Sequence, residues 1–201
     1  MSVRVVSLDD MLGNLEIEIV KSILASFHSI ETSGEPHDVE KFLHKKAIDF
    51  EKTAIATTYL IFDTETSNLL GFFSLANKPL TMSKKNFDSL SKTQQRKVRQ
   101  SGRTIGTKLQ VNSYLIGQLG KNYAENVVPS KITLTGKELL TLAYDKVVEA
   151  SSIIKAKYVW IECEEVDYLM DFYQSFGFTL IPDYTSNNGL KVMILKIKSN
   201  K

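Results

Sequence analysis

The sequence has little of several things that would narrow its chemistry at once. It carries one cysteine, Cys163, among 201 residues. No disulfide can therefore form within the chain, as suits a reducing compartment. Its three histidines, His28, His37 and His44, all precede residue 50. His37 and His44 are two helical turns apart, but no further ligand stands at metal spacing, so no zinc site is expected. No apolar run approaches the length that spans a bilayer, and Met1–Asp10 lacks the apolar core of a signal peptide. A cytoplasmic protein without membrane contact is the expectation. The charge has no strong sign either. Lys and Arg number 25 against 23 Asp and Glu, a formal +2, too little to argue for nucleic acid by its total.

What is present is an ordinary globular composition, 43% hydrophobic and 24% charged. A chain of this length can bury well over half of its unfolded surface around one core. We expect a single domain over 1–201 with a basic helical insertion at about 82–105. Val3–Leu8 reads as a short first strand. Apolar residues at Ile17, Val20, Ile23, Leu24 and Phe27 have helical spacing, and the turn formers of SIETSGEPHD end that helix. Asp38 is placed to cap a second helix that buries Val39, Phe42, Leu43, Ala47 and Phe50. Thr57–Asp63 and Leu69–Ala76 read as a hairpin around TETSN.

Composition then changes. Lys84, Lys85, Lys92, Arg96, Lys97, Arg99 and Arg103 face one acid, Asp88, with a short helix from Ser91 to Gln100 stopped by Gly102. Lys108–Gly120 reads as one strand, and Gly136–Lys155 as a long amphipathic helix. Tyr158–Cys163 is a compact apolar strand of the buried, parallel type. A helix over Val166–Phe176 ends at Gly177, and Phe178–Pro182 with Leu190–Ile197 form a last hairpin. The strand–helix–strand unit at 111–163 should join parallel strands by a right-handed crossover. The fold class is thus α/β, a mixed sheet with helices on both faces.

Two places could carry chemistry. Thr135-Gly136-Lys137-Glu138 is a capping box, and the exposed amides of a helix start attract phosphate. Most such boxes only start a helix. The second place is Asp171–Phe178, where Phe172 and Phe176 share a core-facing side and Tyr173 lies beside it. Taken alone, Tyr173 reads as a surface tyrosine.

Together these segments resemble the Gcn5-related N-acetyltransferase (GNAT) family. FYQSFGF is similar to its FYxxxGF signature. IGQLGKN sits where the family has its LxRLAV-type strand, and TGKELL resembles the end of its pyrophosphate loop. The likeness covers roughly 55–65 and 108–197. It departs in that loop, where Leu134 takes the place of the middle glycine, Lys131 stands at the Arg/Gln position and Gly136 matches the last glycine. A side chain at Leu134 would crowd a pyrophosphate, and Lys131 and Lys137 would compensate with charge.

The resemblance implies a GNAT fold with a splayed pair of parallel strands, and acetyl-CoA as co-substrate. The cofactor arm would enter between Leu119–Lys121 and Ile161–Cys163. Its pyrophosphate would lie on Ile132, Thr133, Leu134, Thr135, Gly136 and Lys137. A backbone N–H at Leu119 or Gly120 would hold the oxyanion. Tyr173 would protonate the departing thiolate. Glu162 and Glu164, placed on one face by strand alternation, are the carboxylates available to take the amine's proton; solvation of a strand end explains them equally well. Direct transfer is the family norm, and Cys163 is expected to act as a small hydrophobe.

The acceptor is not encoded in any motif. Three readings remain. One is an N-acetyltransferase acting on a primary amine. Another is a catalytically weakened binding or interaction module, suggested by the lost glycine. The third is a toxin that acetylates aminoacyl-tRNA, with Lys84–Arg103 on tRNA phosphates. A homodimer is among the assemblies the family implies.

Overall fold

The computed structural model of the chain describes residues 3–30, 36–125, 127, 134–186 and 188–198. Along the chain run β1 (Val3–Ser7), α1 (Leu8–Asn14), α2 (Ile17–Ala25), α3 (Asp38–Lys45), α4 (Ala47–Lys52), β2 (Thr57–Asp63) and β3 (Leu69–Ala76). Next come β4 (Leu80–Met82), α5 (Lys84–Asp88), α6 (Lys92–Arg99), β5 (Gly102–Ile105), β6 (Lys108–Val111) and β7 (Ser113–Lys121). The last are α7 (Gly136–Ile153), β8 (Tyr158–Cys163), α8 (Asp167–Phe176), β9 (Thr179–Thr185) and β10 (Lys191–Lys196). Seven strands form one mixed sheet in the order β1-β2-β3-β7-β8-β10-β9, and three form a second in the order β4-β6-β5. The chain divides into two compact units, Met1–Ala76 with Gly117–Ala143, and Asn77–Ile116 with Tyr144–Lys201.

In the first unit, β2 and β3 pair antiparallel from Thr57↔Leu75 to Phe62↔Leu69. Asp63 closes their turn, its carboxylate accepting from the Glu65 N–H at 3.0 Å and the Thr66 hydroxyl at 2.7 Å. Leu69 through Leu75 are all buried, so β3 shows a continuous apolar run rather than alternation. The core gathers Leu8, Val20, Leu24, Phe27, Leu43, Leu60 and Phe72, with Phe27 edge-on to Phe72 at 5.0 Å.

Two helix starts in this unit are set by side-chain caps that the sequence reading did not assign. The first strand ends at Ser7, not Leu8, because the Ser7 hydroxyl accepts the Asp10 N–H at 3.1 Å and opens α1. The second helix is capped by His37 rather than Asp38: its Nδ1 accepts from the Val39 N–H at 3.3 Å, and Asp38 becomes the first helical residue. That helix also breaks at Lys46 into α3 and α4.

In the second unit, the stretch expected as one strand over Lys108–Gly120 is broken at Asn112. β6 belongs to the small sheet, between β4 and β5, and β7 belongs to the large one. The fully buried Ser113 fixes the switch. Its hydroxyl accepts the Leu80 N–H at 2.8 Å and reaches the carbonyls of Lys78 and Val111 at 3.0 and 3.1 Å. The same Lys78 carbonyl accepts Trp160 Nε1–H at 3.0 Å. The basic insertion is therefore built of strands as well as helices, over a core of Leu80, Met82, Leu90, Val98, Trp160 and Ile194.

β7 and β8 are parallel, as the crossover rule requires, with paired residues from Ser113↔Tyr158 to Ile116↔Ile161. Each strand runs on past its last pair, β7 to Lys121 and β8 to Cys163. β10 pairs antiparallel with β8 and then with β9. Gly177 ends α8 at φ +115°, the left-handed cap expected there.

Candidate functional site

In the first unit the candidate residues lie at the end of β7 and the start of α7. Leu119, Gly120 and Lys121 are all half-buried. A Cβ on Gly120 would lie 2.6 Å from Val39 Cγ1 and 2.9 Å from Phe27 Cζ. The strand end thus fits beneath α2 and α3 only because residue 120 has no side chain. Leu134 stands just before α7 and is 3% exposed. Its Cδ2 lies 3.2 Å from where a Cβ on Gly71 would be. Its side chain fills the space that glycine leaves in β3, so it is turned into the core.

The Thr135–Glu138 box is formed as expected. The Thr135 N–H and hydroxyl donate to Glu138 Oε2 at 2.8 and 2.6 Å, and the Glu138 N–H returns to the Thr135 hydroxyl at 3.2 Å. Those hydrogen bonds hold the Glu138 carboxyl below its ordinary pKa. The N–H groups of Gly136 and Lys137 are left without partners among the described residues. One carboxylate therefore shares this helix start with two amides that have no partner among the described residues, and the charge of Lys121 acts on it. Lys131, Ile132 and Thr133, also expected to contact a phosphate, lie outside the described residues.

In the second unit the candidate residues lie on β8 and α8. Tyr173 is packed edge-on against Phe172 and Phe178, with centroids at 5.0 and 5.9 Å. Burial, then the nearby Cys163 thiol, pushes its pKa up to about 12. Among the described residues its hydroxyl has no hydrogen-bond partner. Phe172 and Phe176, expected in the core, are only half-buried; Phe178 is the buried ring of this cluster. The Cys163 Sγ lies 3.8 Å from Met193 Sδ. Burial and the Glu164 charge raise its thiol pKa, which disfavours the thiolate that covalent catalysis needs.

Glu162 is half-buried on β8, and its charge, after burial itself, helps raise the pKa of Tyr184. Glu164 lies past the strand's end and is exposed. Strand alternation therefore does not govern Glu164, and the one-face argument for the pair fails. Glu162 and Cys163 are neighbours on a strand and so point to opposite faces.

α6 starts from a formed capping box, Ser91 with Gln94, and is anchored by buried Val98. Arg99 stacks over the Phe87 ring at 5.0 Å. Lys92, Gln95, Arg96, Arg99 and Gln100 line one open concavity of about 400 Å³. Lys97 points elsewhere and lines a separate pocket of about 150 Å³ with Met82, Tyr158 and Ile194.

Two features have no counterpart in the motif reading. Asn122 is a buried amide with every polar site occupied; in sequence it reads only as the first polar residue after a strand. Glu40 is also buried, accepting from the Ser29 N–H and hydroxyl at 2.6 and 2.9 Å. Its helical spacing from His44 (4.0 Å between Nδ1 and Oε1) was the only available signal. Among the described residues no group of three or more His, Cys, Asp or Glu could hold a metal. No helix among them is long and apolar enough to cross a membrane.

No protein-family model matches the chain, and no curated protein matches it. Solved structures do. A Tyr-to-Phe mutant of KacT superposes with a TM-score of 0.64 at 18% identity, over 98% of this chain and 96% of that one. AtaT complexed with acetyl-methionyl-tRNAfMet gives 0.61 at 17% identity, over 97% and 95%. AtaTR bound with acetyl-CoA gives 0.58 at 15%, over 97% and 93%. These likenesses establish a shared fold along nearly the whole chain.

Proposed function

We propose that this chain, which has the GNAT fold, is an acetyl-CoA-dependent N-acetyltransferase that moves the acetyl group directly to a primary amine. The observation that carries the reading is Tyr173 in the FYQSFGF segment, a neutral phenol whose hydroxyl has no partner among the described residues. The solved structure of AtaTR with acetyl-CoA, sharing this fold, supports it.

In this reading the amides of Gly136 and Lys137, with the Lys137 side chain, receive the pyrophosphate. Leu134 does not obstruct it, because its side chain is spent on the core. The backbone at Leu119–Lys121 takes the amide arm, and an N–H there polarises the thioester carbonyl. The amine nitrogen adds to that carbon, the C–S bond breaks, and the amine's lost proton balances the thiolate. Glu162 is the carboxylate assigned to that proton; Glu164, off the strand, is not needed.

Tyr173 acquires a narrower role than outright acid. A phenol near 12 lies about 3.5 units above an ordinary thiol, so full transfer to the thiolate is uphill by about 5 kcal/mol. What it offers is a hydrogen bond to the sulfur as charge develops. Calorimetry with acetyl-CoA tests the reading. Saturable binding and transfer of labelled acetyl to an amine are expected, and absence of binding refutes it.

A second observation favours a particular acceptor. Lys92, Arg96 and Arg99 share one concavity, and a neighbour of this fold was solved with acetyl-methionyl-tRNAfMet. The amine would then be the α-amino group of an aminoacyl-tRNA, with the concavity on backbone phosphates. Neutralising all three should weaken tRNA binding and flatten its log–log salt dependence by roughly one unit per lost phosphate contact. An unchanged slope excludes this acceptor while leaving the transferase reading intact.

A further inference from the structure

The residue that closes β7 makes four hydrogen bonds through its side chain. Asn122 is 5% exposed. Its Nδ2 donates to the Ser26 carbonyl at 3.1 Å and to the Leu69 carbonyl at 2.8 Å. Its Oδ1 accepts from the His28 N–H at 2.9 Å and the Ala124 N–H at 3.0 Å. Its own N–H donates to the Leu70 carbonyl at 2.8 Å, and the next residue's N–H, on Tyr123, donates to the His28 carbonyl at 2.8 Å. A carboxamide has two donors and an acceptor oxygen with two lone pairs, and here each is used once.

The three places joined are distinct. Ser26–His28 is the exit of α2, Leu69–Leu70 is the start of β3, and Ala124 opens the connector that leads toward α7. The joint lies one residue beyond Lys121. Immediately before it, Gly120 has no lateral freedom, being covered by Val39 and Phe27 on one side. Its carbonyl oxygen is 2.7 Å from where a Cβ on Gly71 would be. The backbone at Leu119–Lys121 is thus gripped from the side by packing and from its end by a single amide.

We infer that Asn122 is a positioning residue for the acyl-donor site: it sets the depth and direction of the Leu119–Lys121 backbone, whose N–H groups meet the thioester. The inference rests on the acetyltransferase reading. Among the described residues no other side chain makes a hydrogen bond at the end of β7. The other bonds there run between backbone groups, which close a ladder but do not lock the chain against sliding outward from α2. Loss of the amide would leave two buried carbonyls and two N–H groups unpaired at the root of the site. The strand end would then be free to shift by the fraction of an ångström that separates a good oxyanion contact from a poor one.

The test uses the full chain as wild type, Asn122→Ala and Asn122→Asp. Acetyl-CoA is titrated by calorimetry, with the folded fraction of each sample taken from circular dichroism. The infrared carbonyl stretch of bound acetyl-CoA, labelled with carbon-13, reports polarisation of the thioester. Wild type should bind and shift the stretch to lower frequency. In Asn122→Ala the dissociation constant per folded molecule should rise about tenfold. The KM for acetyl-CoA should rise with it, the KM for the amine should hold, and the stretch should return toward its free position.

Asn122→Asp keeps both accepted bonds but loses the two donors, and should behave like the alanine variant. It supplies the same readouts should Asn122→Ala not fold. Two results overturn the assignment. One is a folded variant with unchanged affinity and carbonyl stretch. The other is a loss of binding no greater than the loss of folded protein. Failure of the wild type to bind acetyl-CoA is a different outcome; it removes the acetyltransferase reading, and this assignment with it.

Discussion

Replacing Tyr173 with phenylalanine separates chemistry from stability cleanly. The substitution deletes one oxygen and keeps the ring against Phe172 and Phe178. No hydrogen bond within the described protein is lost, because the hydroxyl has no partner there. With no protein partner among the described residues and no full burial of the oxygen, that hydroxyl can bond to water in both states, so removing it should be nearly neutral for stability. The Tm at neutral pH should therefore not fall. Catalysis should. A hydrogen bond to a charged group is worth about 1.5–3 kcal/mol, and if it forms only as the thiolate develops, the loss appears in the chemical step. Single-turnover transfer should slow roughly 10- to 150-fold, with acetyl-CoA affinity unchanged.

An independent readout comes from alkali. The Tyr173 pKa is raised from 10.0 to about 12. The unfolded chain therefore loses this proton first, and folding stability, intact below pH 10, declines as pH rises toward 12. The decline attributable to this residue approaches about 2.7 kcal/mol. Tyr173→Phe should lack it and unfold at higher pH than wild type in denaturant titrations. Turnover within twofold of wild type would refute the leaving-group assignment. An unaltered alkaline limb would refute the buried environment from which it was reasoned.

Other expectations follow from single contacts. Leu134→Ala should cost about 2–5 kcal/mol of unfolding free energy as a core truncation, without tightening acetyl-CoA binding; a gain in affinity would mean that the leucine does crowd the pyrophosphate. Glu40 is raised by burial but brought net below 4.5 by its Ser29 hydrogen bonds and by His44 and His28. Its contribution is present above that range and lost as pH falls through it. Glu40→Gln should accordingly show a flatter acid limb in chemical denaturation than wild type, and an equally steep limb would contradict it.

The legible parts of the fold were those where local chemistry and packing agree. β2, β3 and β8 have the bounds read from Thr57–Asp63, Leu69–Ala76 and Tyr158–Cys163, because turn formers or buried apolar runs delimit them. The α7 capping box and Gly177 also announce themselves. The break at Asn112 does not. Apolar residues continue across it, and the switch of sheets is settled by Ser113 bonding to Lys78 and Leu80, more than thirty residues away. The α1 start was visible in principle, since Ser7 and Asp10 have cap spacing, but seven residues show too little periodicity to separate helix from strand. For the site, Tyr173 and the Thr135 box were readable as motifs. The inward turn of Leu134 was not legible because the glycine it packs on, Gly71, is remote in sequence. Asn122 was invisible for the same reason: its partners Ser26 and Leu69 lie 96 and 53 residues upstream.

The division of the chain has a practical consequence for anyone wishing to take the protein apart. Its path passes from one compact unit to the other at 76/77, 116/117 and 143/144. Of these crossings only the first falls in a loop; the second is inside β7 and the third inside α7. Proteases cut where backbone can leave its hydrogen bonds, so of the three crossings the Ala76–Asn77 junction is the one that offers them a seam. Neither unit corresponds to a continuous stretch of gene. Deletion libraries should therefore yield insoluble halves, whereas a break opened at 76/77 is the place where two co-expressed fragments could still recombine into a working whole.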